Sequence, residues 1–166
     1  MVPNIEVKQI AVKYDEYTKD RLDRLARNGA VNRHHLMLSF INIWLGVLKN
    51  ADMAALFHFA IILRDFEALT KGILRSQREI PDSRVPEKAF PIKLGETTIF
   101  DIERFASRAN MSNHQLMKNM IIIGIEELEN ITDYKAYQFG AVEPKLYKSF
   151  EMIMKKGFKA FKAGIK

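Results

Sequence analysis

Residues 31–48, VNRHHLMLSFINIWLGVL, decide how this chain folds. The stretch begins near Asn32, whose side chain can cap a helix, and continues with apolar residues around much of the helix circumference. The same pattern returns at residues 111–128, MSNHQLMKNMIIIGIEEL, and adding 80 to each number maps one stretch onto the other without a gap. The identical pairs are His34/His114, Leu36/Leu116, Met37/Met117, Ile41/Ile121, Ile43/Ile123 and Leu48/Leu128. Two copies of one unit indicate an internal two-fold axis, so function is expected where the copies meet.

Composition limits the class of protein. The chain has 166 residues, of which 48% are hydrophobic and 28% charged, enough for one compact domain or two small intertwined ones. It has no cysteine, which suits a reducing compartment, and residues 1–6 lack a signal-peptide pattern, so we expect a cytoplasmic protein. The most apolar run, residues 53–63, is interrupted by His58 and is too short to span a bilayer. No membrane partner is therefore expected.

The positive charge is concentrated at the end of the chain. Residues 145–166 contain seven lysines and one acid, Glu151, and so account for the whole net charge of +6, while the remainder has 19 basic and 19 acidic side chains. The lysines belong to a predicted helix, residues 145–162. This helix has three interpretations: it covers the core with a soluble face, it follows DNA phosphates, or it lies on an anionic membrane.

A short strand is predicted before each copy of the helix. In the segment of residues 7–14, apolar and polar residues alternate at a period of two from Ile10 onward, and they alternate again from Phe90 to Leu94. The predicted inward residues are Ile10, Val12 and Tyr14 in the first strand and Phe90, Ile92 and Leu94 in the second. The predicted outward residues are Gln9, Ala11, Lys13, Ala89, Pro91 and Lys93.

Each strand leads into a helix and then into the repeated stretch. Asp15 or Thr18 is predicted to cap the first of these helices, and Ser112 the helix at 113–128. The first helix has apolar positions at Tyr17, Leu22, Leu25 and Ala26, and its counterpart has them at Ile99, Ile102, Phe105 and Ala106. A further helix is predicted after each copy, at residues 52–77 and 145–162. The acidic group Glu126, Glu127 and Glu129 is predicted to be a solvated helix face.

Strand, helix, turn and capped helix within about forty residues resembles the ribbon–helix–helix superfamily of repressors, of the Arc and MetJ kind. The resemblance covers residues 9–48 and 90–128 and rests on spacing that occurs twice at one offset. It implies a mainly α fold with a short two-stranded antiparallel β-ribbon, in which two tandem units form an intramolecular pseudo-dimer. A lone strand leaves unpaired backbone groups, which pairing of residues 9–14 with 89–94 would satisfy.

The pseudo-dimer predicts four segments that together make one intertwined domain. These segments are the first ribbon–helix–helix unit at residues 1–50, an extra helix and linker at 51–87, the second unit at 88–130, and the lysine-rich helix at 131–166. The linker assignment rests on Pro81 and Pro86, which interrupt regular structure. The broad apolar face of residues 52–77 predicts possible self-association.

In this family the ribbon enters the major groove of double-stranded DNA, so the resemblance assigns base reading to the outward residues Gln9, Ala11, Lys13, Ala89, Pro91 and Lys93. Gln can pair with adenine, and Lys with guanine O6 and N7. Alanine and proline offer no side-chain hydrogen bonds, and Pro91 is tolerated only where its missing amide would face away from the partner strand. The expected DNA site is therefore short and asymmetric. The alternative is a solvated ribbon face.

The resemblance also assigns phosphate binding to the helix N-termini. The residues concerned are Asn32, Arg33, His34, Ser112, Asn113 and His114, where helix amides face outward. Surface histidines without such a role are the alternative. His34, His35 and His114 could approach one another, but cysteines, a His-x-x-x-His step and carboxylates at ligand spacing are missing, so no metal is expected.

No catalytic motif is recognisable. The sequence has no Gly-rich phosphate loop, no nucleophile elbow and no paired carboxylates in an apolar setting, so an enzyme, a cofactor and a small-molecule substrate are not expected. The sequence therefore predicts a DNA-binding protein, either a transcriptional regulator or a plasmid or phage DNA-processing accessory factor. The alternatives are a protein-interaction module of the same fold that no longer reads DNA, and a membrane-surface protein that binds through its C-terminal helix.

Overall fold

The structure, a computed structural model, describes residues 6–70 and 86–164 and is mainly helical. The elements are β1 (Val7–Asp15), α1 (Glu16–Asn28), α2 (Arg33–Leu48), α3 (Ala51–Ala54), α4 (Phe57–Thr70), β2 (Glu87–Gly95), α5 (Glu96–Arg108), α6 (Asn113–Thr132) and α7 (Phe139–Gly164). Within the described ranges, β1 and β2 form one two-stranded antiparallel sheet, the ribbon. The predicted mainly α fold with a short antiparallel ribbon is confirmed.

The ribbon is centred on one cross-strand pair. Ala11 lies opposite Pro91, the residue 80 positions further along the chain, and Val12 lies opposite Phe90. Exchanging the strands by the 80-residue offset therefore leaves the register unchanged. Both predicted strands fall inside the observed ones, because pairing continues from Val7 to Asp15 in β1 and from Glu87 to Gly95 in β2.

The predicted helix caps are present. Asp15 Oδ1 accepts a hydrogen bond from the Thr18 amide at 2.8 Å, and Asn32 Oδ1 accepts one from the His35 amide at 2.7 Å. Ser112 forms a capping box in which its hydroxyl accepts from the Gln115 amide and its own amide donates to the Gln115 side chain. Each cap satisfies a helix amide that has no partner within the helix and so fixes where the helix begins.

The core lies between the ribbon and α7, with α2 and α6 in its middle. The ribbon packs on α2 and α6, and α7 packs on these two helices and on α4. Trp44 of α2 is fully buried, stacks on Phe150 of α7 at 4.2 Å between ring centroids, and meets Phe57 of α4 edge-on at 5.1 Å. The apolar stretch that α2 occupies is therefore buried against helices on more than one side.

Two of the predicted helices have different bounds from those expected. The helix predicted at 52–77 is wrong as a single element, because α3 and α4 are separated at residues 55–56. Its residues 71–77, and residues 78–85 of the predicted linker, lie outside the described residues. The helix predicted at 145–162 begins six residues earlier, at Phe139, and contains Pro144. Pro144 lies in the second turn of α7, where its missing amide removes one backbone hydrogen bond, to the carbonyl of Gly140, and the helix continues through it.

Several side chains face differently from the prediction. Tyr17 is 54% exposed because the neighbouring Thr18 takes the inward position of α1. The acids predicted to be solvated are instead partly or fully buried: Glu129 accepts hydrogen bonds from Arg21 of α1, and Glu126 and Glu127 accept from Arg64 of α4. These pairs connect α6 to α1 and to α4 through charges that are largely removed from solvent.

The test for membrane spans concerns the described helices only. No single one of them combines the length and the apolar composition needed to cross a bilayer. The bent pair formed by α2 with residues 52–70 meets the criterion by length and composition alone, with a bend of 108°.

The close crossing of α2 and α6 depends on Gly124. A Cβ at this position would lie well inside van der Waals contact of the buried Phe40 ring. We expect Gly124→Ala to lower the free energy of unfolding by about 1–3 kcal/mol, because the ring or the helix must shift. Gly46 of α2 is the control: the nearest atom to its added Cβ is 3.7 Å away, so Gly46→Ala should be neutral or stabilising. Denaturant unfolding measures both, and equal effects would contradict the prediction.

Candidate nucleic-acid interface

The outer face of the ribbon carries all six predicted base-reading residues. Gln9, Ala11, Lys13, Ala89, Pro91 and Lys93 are exposed. They form three cross-strand pairs, Gln9 with Lys93, Ala11 with Pro91, and Lys13 with Ala89. Polar side chains therefore lie on both sides of an apolar centre, and each side of the centre has one lysine.

The inner face of the ribbon is fixed to the helical core. Tyr14 stacks on Phe90 with 4.1 Å between the ring centroids, and its hydroxyl donates to Met37 Sδ at 3.3 Å. Burial raises the pKa of the Tyr14 phenol above its usual value, so this group stays neutral. The guanidinium of Arg33 lies over the Phe90 ring, 5.2 Å from its centroid. These contacts hold the outer face in a constant position relative to α2.

Two histidines accept hydrogen bonds from backbone amides at the outer edges of the ribbon. His34 Nε2 accepts a hydrogen bond from the Lys93 amide at 2.9 Å, and His114 Nε2 accepts one from the Lys13 amide at 2.9 Å. Each histidine is the second residue of its helix, so the N-termini of α2 and α6 lie beside opposite strands. Because Nε2 acts as an acceptor, the predicted role of these histidines as phosphate donors now rests on Nδ1 alone.

The position of Pro91 follows from the same geometry. The Lys93 amide points to the outer edge, since it donates to His34 and not to β1. Amides two residues apart along a strand point to the same side, so the nitrogen of Pro91 also faces the outer edge. The proline therefore removes no hydrogen bond between the strands, as expected from the sequence.

His114 is kept neutral by its surroundings. Partial burial lowers its pKa, and the nearby ammonium groups of Lys118 and Lys13 lower it further, against the opposing effect of Glu87. Lys118 also donates to the Glu87 carboxylate. A neutral imidazole can accept the Lys13 amide, whereas a protonated one cannot.

At the N-termini of α2 and α6, the groups available to a ligand are mainly backbone amides, because most side chains there are already hydrogen-bonded. The side-chain oxygens of Asn32 and Ser112 are used in the caps, and Arg33 donates two hydrogen bonds to Asp23, at 2.6 and 3.0 Å. Asn113 is exposed. The first amides of α2 and α6 have no acceptor within their helices, so they are the groups that could bind a phosphate.

One open cleft of about 330 Å³ brings both predicted sets of residues together. It runs along the outer edge of β2, beside the N-terminus of α2. Its lining residues are Gln9, Asn32, Arg33, His34, Met37, Phe90, Pro91 and Lys93. Base-reading and phosphate-binding candidates therefore lie side by side on this edge, above an apolar floor of Met37 and Phe90.

The sequence interpretation missed two lysines at the ends of the ribbon. Lys8 lies opposite Leu94 and Lys88 opposite Tyr14, and both lysines are exposed. Lys88 Nζ is 3.7 Å from a carboxylate oxygen of Glu16. Lys8 lies in the first predicted segment but before Ile10, where the alternation of apolar and polar residues begins, and Lys88 lies before the second predicted strand.

Comparison with known protein families, with characterised proteins and with solved structures found no match. Within residues 6–70 and 86–164, no three side chains of His, Cys, Asp or Glu are grouped in a way that could hold a metal ion. His34 and His114 accept hydrogen bonds from backbone amides on opposite strands. The chemistry of this surface is therefore that of amides, lysines and one glutamine on a ribbon.

Hydrogen exchange tests the edge contacts individually. His34→Ala removes the acceptor of the Lys93 amide, so we expect this amide to exchange about 10-fold faster while the Lys13 amide is unchanged. His114→Ala should have the opposite pattern, which makes each variant the control for the other. Residue-resolved exchange by NMR measures both amides. Equal acceleration of the two amides in either variant would show general loosening of the ribbon and refute the assignment.

The lowered pKa of His114 predicts how stability depends on pH. The unfolded chain binds a proton at His114 near pH 6.5, and the folded chain only at lower pH. The stability that this group contributes is therefore present above about pH 6.5 and is lost as the pH falls through the folded pKa. His114→Gln should weaken this dependence, because glutamine does not titrate in this range. Denaturant unfolding from roughly pH 7.5 to 5 measures it, and identical profiles for His114→Gln and the parent would disprove the linkage.

Proposed function

We propose that this chain is a double-stranded DNA-binding protein of the cytoplasm, acting as a transcriptional regulator or as an accessory factor in plasmid or phage DNA processing. The observation that carries the proposal is the exposed outer face of the ribbon, with Lys13, Lys93 and Gln9 on it and a helix N-terminus beside each outer edge. A two-stranded ribbon fits the major groove, which is about 12 Å wide.

We further propose that two ribbon–helix–helix units form an intramolecular pseudo-dimer. The offset of 80 residues relates β1, α1 and the start of α2 to β2, α5 and the start of α6. It also exchanges the two histidine contacts with the strands and relates Ala30 to Asn110, which have positive φ angles of 54° and 55°. Agreement of register, edge contacts and turn geometry at one offset supports a common unit used twice.

In this proposal, base contacts come from both ends of the outer face. Gln9 and Lys93 form one polar pair, and Lys13 is the polar member of the other. Gln can bind adenine and Lys can bind guanine, while the apolar centre of Ala11 and Pro91 fits the methyl group of thymine. Because Ala89 takes the place equivalent to Gln9, the two ends should prefer different bases. The bound site would then be asymmetric.

Phosphate contacts come from the first amides of α2 and α6, with the ammonium groups of Lys8 and Lys88 at the ends of the ribbon. The position of the histidines supports this assignment, because it places each helix N-terminus beside an outer edge of the ribbon. Backbone contacts of this kind position a protein on DNA and make its affinity sensitive to salt.

The DNA proposal predicts the effect of removing the ribbon lysines. Lys13→Ala with Lys93→Ala should weaken binding to duplex DNA by about 10- to 100-fold and reduce the salt slope of the affinity by about two. Both lysines are exposed and use their backbone amides for the fold, so the variant should keep its structure. Fluorescence anisotropy over a series of salt concentrations measures both effects.

The matched control removes two charges from α7, through Lys148→Ala with Lys159→Ala. These lysines are exposed, and α7 packs on α2, α4 and α6. The control should lose much less affinity than the ribbon variant. An equal loss would mean binding by net charge, and no duplex binding even at low salt would leave the protein-interaction module as the better function. Selection from random duplexes then defines the site and its asymmetry.

A further inference from the structure

Helix α7 carries a row of lysines along its outer side. An α-helix advances by about 100° per residue, so five lysines and one methionine of α7 fall within an arc of about 100°. This arc lies opposite the side of the helix that buries Leu146, Phe150 and Ile153 in the core. All members of this lysine row are exposed, and they are Lys145, Lys148, Met152, Lys155, Lys159 and Lys162. The row therefore points away from the core.

The lysine row is a linear series of positive charges. Residues 145–162 contain one acid, Glu151, which borders the row and accepts a hydrogen bond from Lys155 at 3.0 Å. At about 1.5 Å per residue, the row extends over about 25 Å. Duplex DNA of that length carries roughly 15 phosphate charges. A straight row of ammonium groups therefore has the charge and the shape to follow a nucleic-acid backbone.

Helix α7 runs away from the ribbon. Near its start, Phe139 meets His35 edge-on at 5.5 Å between ring centroids, beside the N-terminus of α2. Further along, Phe150 stacks on Trp44, nine residues later in α2. Helix α7 thus follows α2 away from the end that contacts the ribbon. A straight duplex seated on the ribbon cannot also follow the lysine row, so a duplex bound to the row would be a second one.

The composition of the row favours nucleic acid over a lipid surface. Helices that lie on membranes bury an apolar face among the headgroups. Helix α7 turns its apolar face into the core, and Met152 is the apolar member of the row. Phe158, beside the row, has the Lys162 ammonium 5.0 Å from its ring centroid. The row therefore offers point charges, which bind phosphates without reading bases.

We propose that the lysine row of α7 binds the phosphate backbone of a second DNA duplex, so that one molecule holds one duplex on its ribbon and another on α7. This inference rests on the DNA-binding function proposed above for the ribbon, and it adds a site without sequence preference. The α7 site is the weaker of the two, because its contacts are with phosphates alone and are screened by salt.

Fluorescence anisotropy with one labelled duplex at low salt tests the row separately from the ribbon. The chains compared are the parent, a ribbon variant (Lys13→Ala, Lys93→Ala), a row variant (Lys148→Gln, Lys155→Gln, Lys159→Gln) and the combination of all five changes. The ribbon variant should keep weak duplex binding, and the combined variant should lose about 10-fold or more of it, with a salt slope lower by about three. The row variant alone should bind within about 3-fold of the parent, because the ribbon is intact.

A capture assay tests whether one protein holds two duplexes. The parent chain should retain a fluorescent duplex on beads that carry a second, unlabelled duplex, and the row variant should retain about 10-fold less. The charge-matched control is Arg24→Gln with Lys49→Gln and Lys135→Gln, which removes three exposed cations outside α7 and should capture like the parent. Equal melting of all variants by circular dichroism shows that the fold is retained.

The outcomes separate this proposal from that for the ribbon. If the ribbon variant binds like the parent while the row variant loses binding, the ribbon function fails and the row remains a DNA site. Absence of duplex binding by the ribbon variant, undiminished capture by the row variant, or an equal loss of capture in the charge-matched control would each overturn the α7 site. Flotation of the parent with vesicles containing an anionic lipid, lost in the row variant and without capture of a second duplex, would assign the row to a membrane surface instead.

Discussion

The fold depends on the pairing of β1 with β2. Each strand alone would leave a full row of backbone groups without partners, and a two-stranded ribbon without a core beneath it is only marginally stable. The strands lie about 80 residues apart in the chain, so their pairing brings the N-terminal segment against the middle of the protein. The same pairing turns the apolar residues of both strands toward α2 and α6. Burial of the inner face and satisfaction of the backbone are therefore achieved together.

Pairing still leaves two outer edges, and the chain treats both in the same way. His34 and His114 each place an imidazole nitrogen against a strand amide, so α2 and α6 are tied to the ribbon at their first turns. An exposed strand edge is a site for unwanted pairing with other chains, and these contacts cover part of each edge. The contacts also fix the distance between the outer face and the helix N-termini, on which the proposed phosphate contacts depend.

Much of the fold could be predicted because its signals are local. Alternation defined the strands and the face that Val12 and Ile92 bury, and the caps at Asn32 and Ser112 defined where two helices begin. The break between α3 and α4 was missed because apolar residues continue through it. The start of α7 was missed because Pro144 suggests an end to helical structure. Local sequence also places Tyr17 and Thr18 one position apart, too close for periodicity to decide which faces inward.

The site was predicted less completely, because its decisive contacts join distant parts of the chain. The outward set, which includes Gln9 and Lys93, followed from alternation. The acceptor role of His34 requires the edge of β2, 59 residues away, and no local pattern contains it. The buried pairs of Glu129 with Arg21 and of Glu126 with Arg64 are of the same kind. In the sequence, acids at helical spacing are typical of a solvated helix face, because the arginines that pair with them lie in distant parts of the chain.

The two faces of the ribbon differ in how closely residues 80 positions apart match. Under the 80-residue offset, the inner positions match one apolar residue with another, Ile10 with Phe90 and Val12 with Ile92. The outer positions match Gln9 with Ala89, so the polar group is present in one strand and missing in the other. Burial restricts the inner positions in both strands, because a polar side chain there would lose its hydration without gaining a partner. The outer positions are free of that restriction, so their differences are available for recognition. If the proposed DNA contacts are made by these residues, the asymmetry of the bound sequence arises from the outer face of the ribbon.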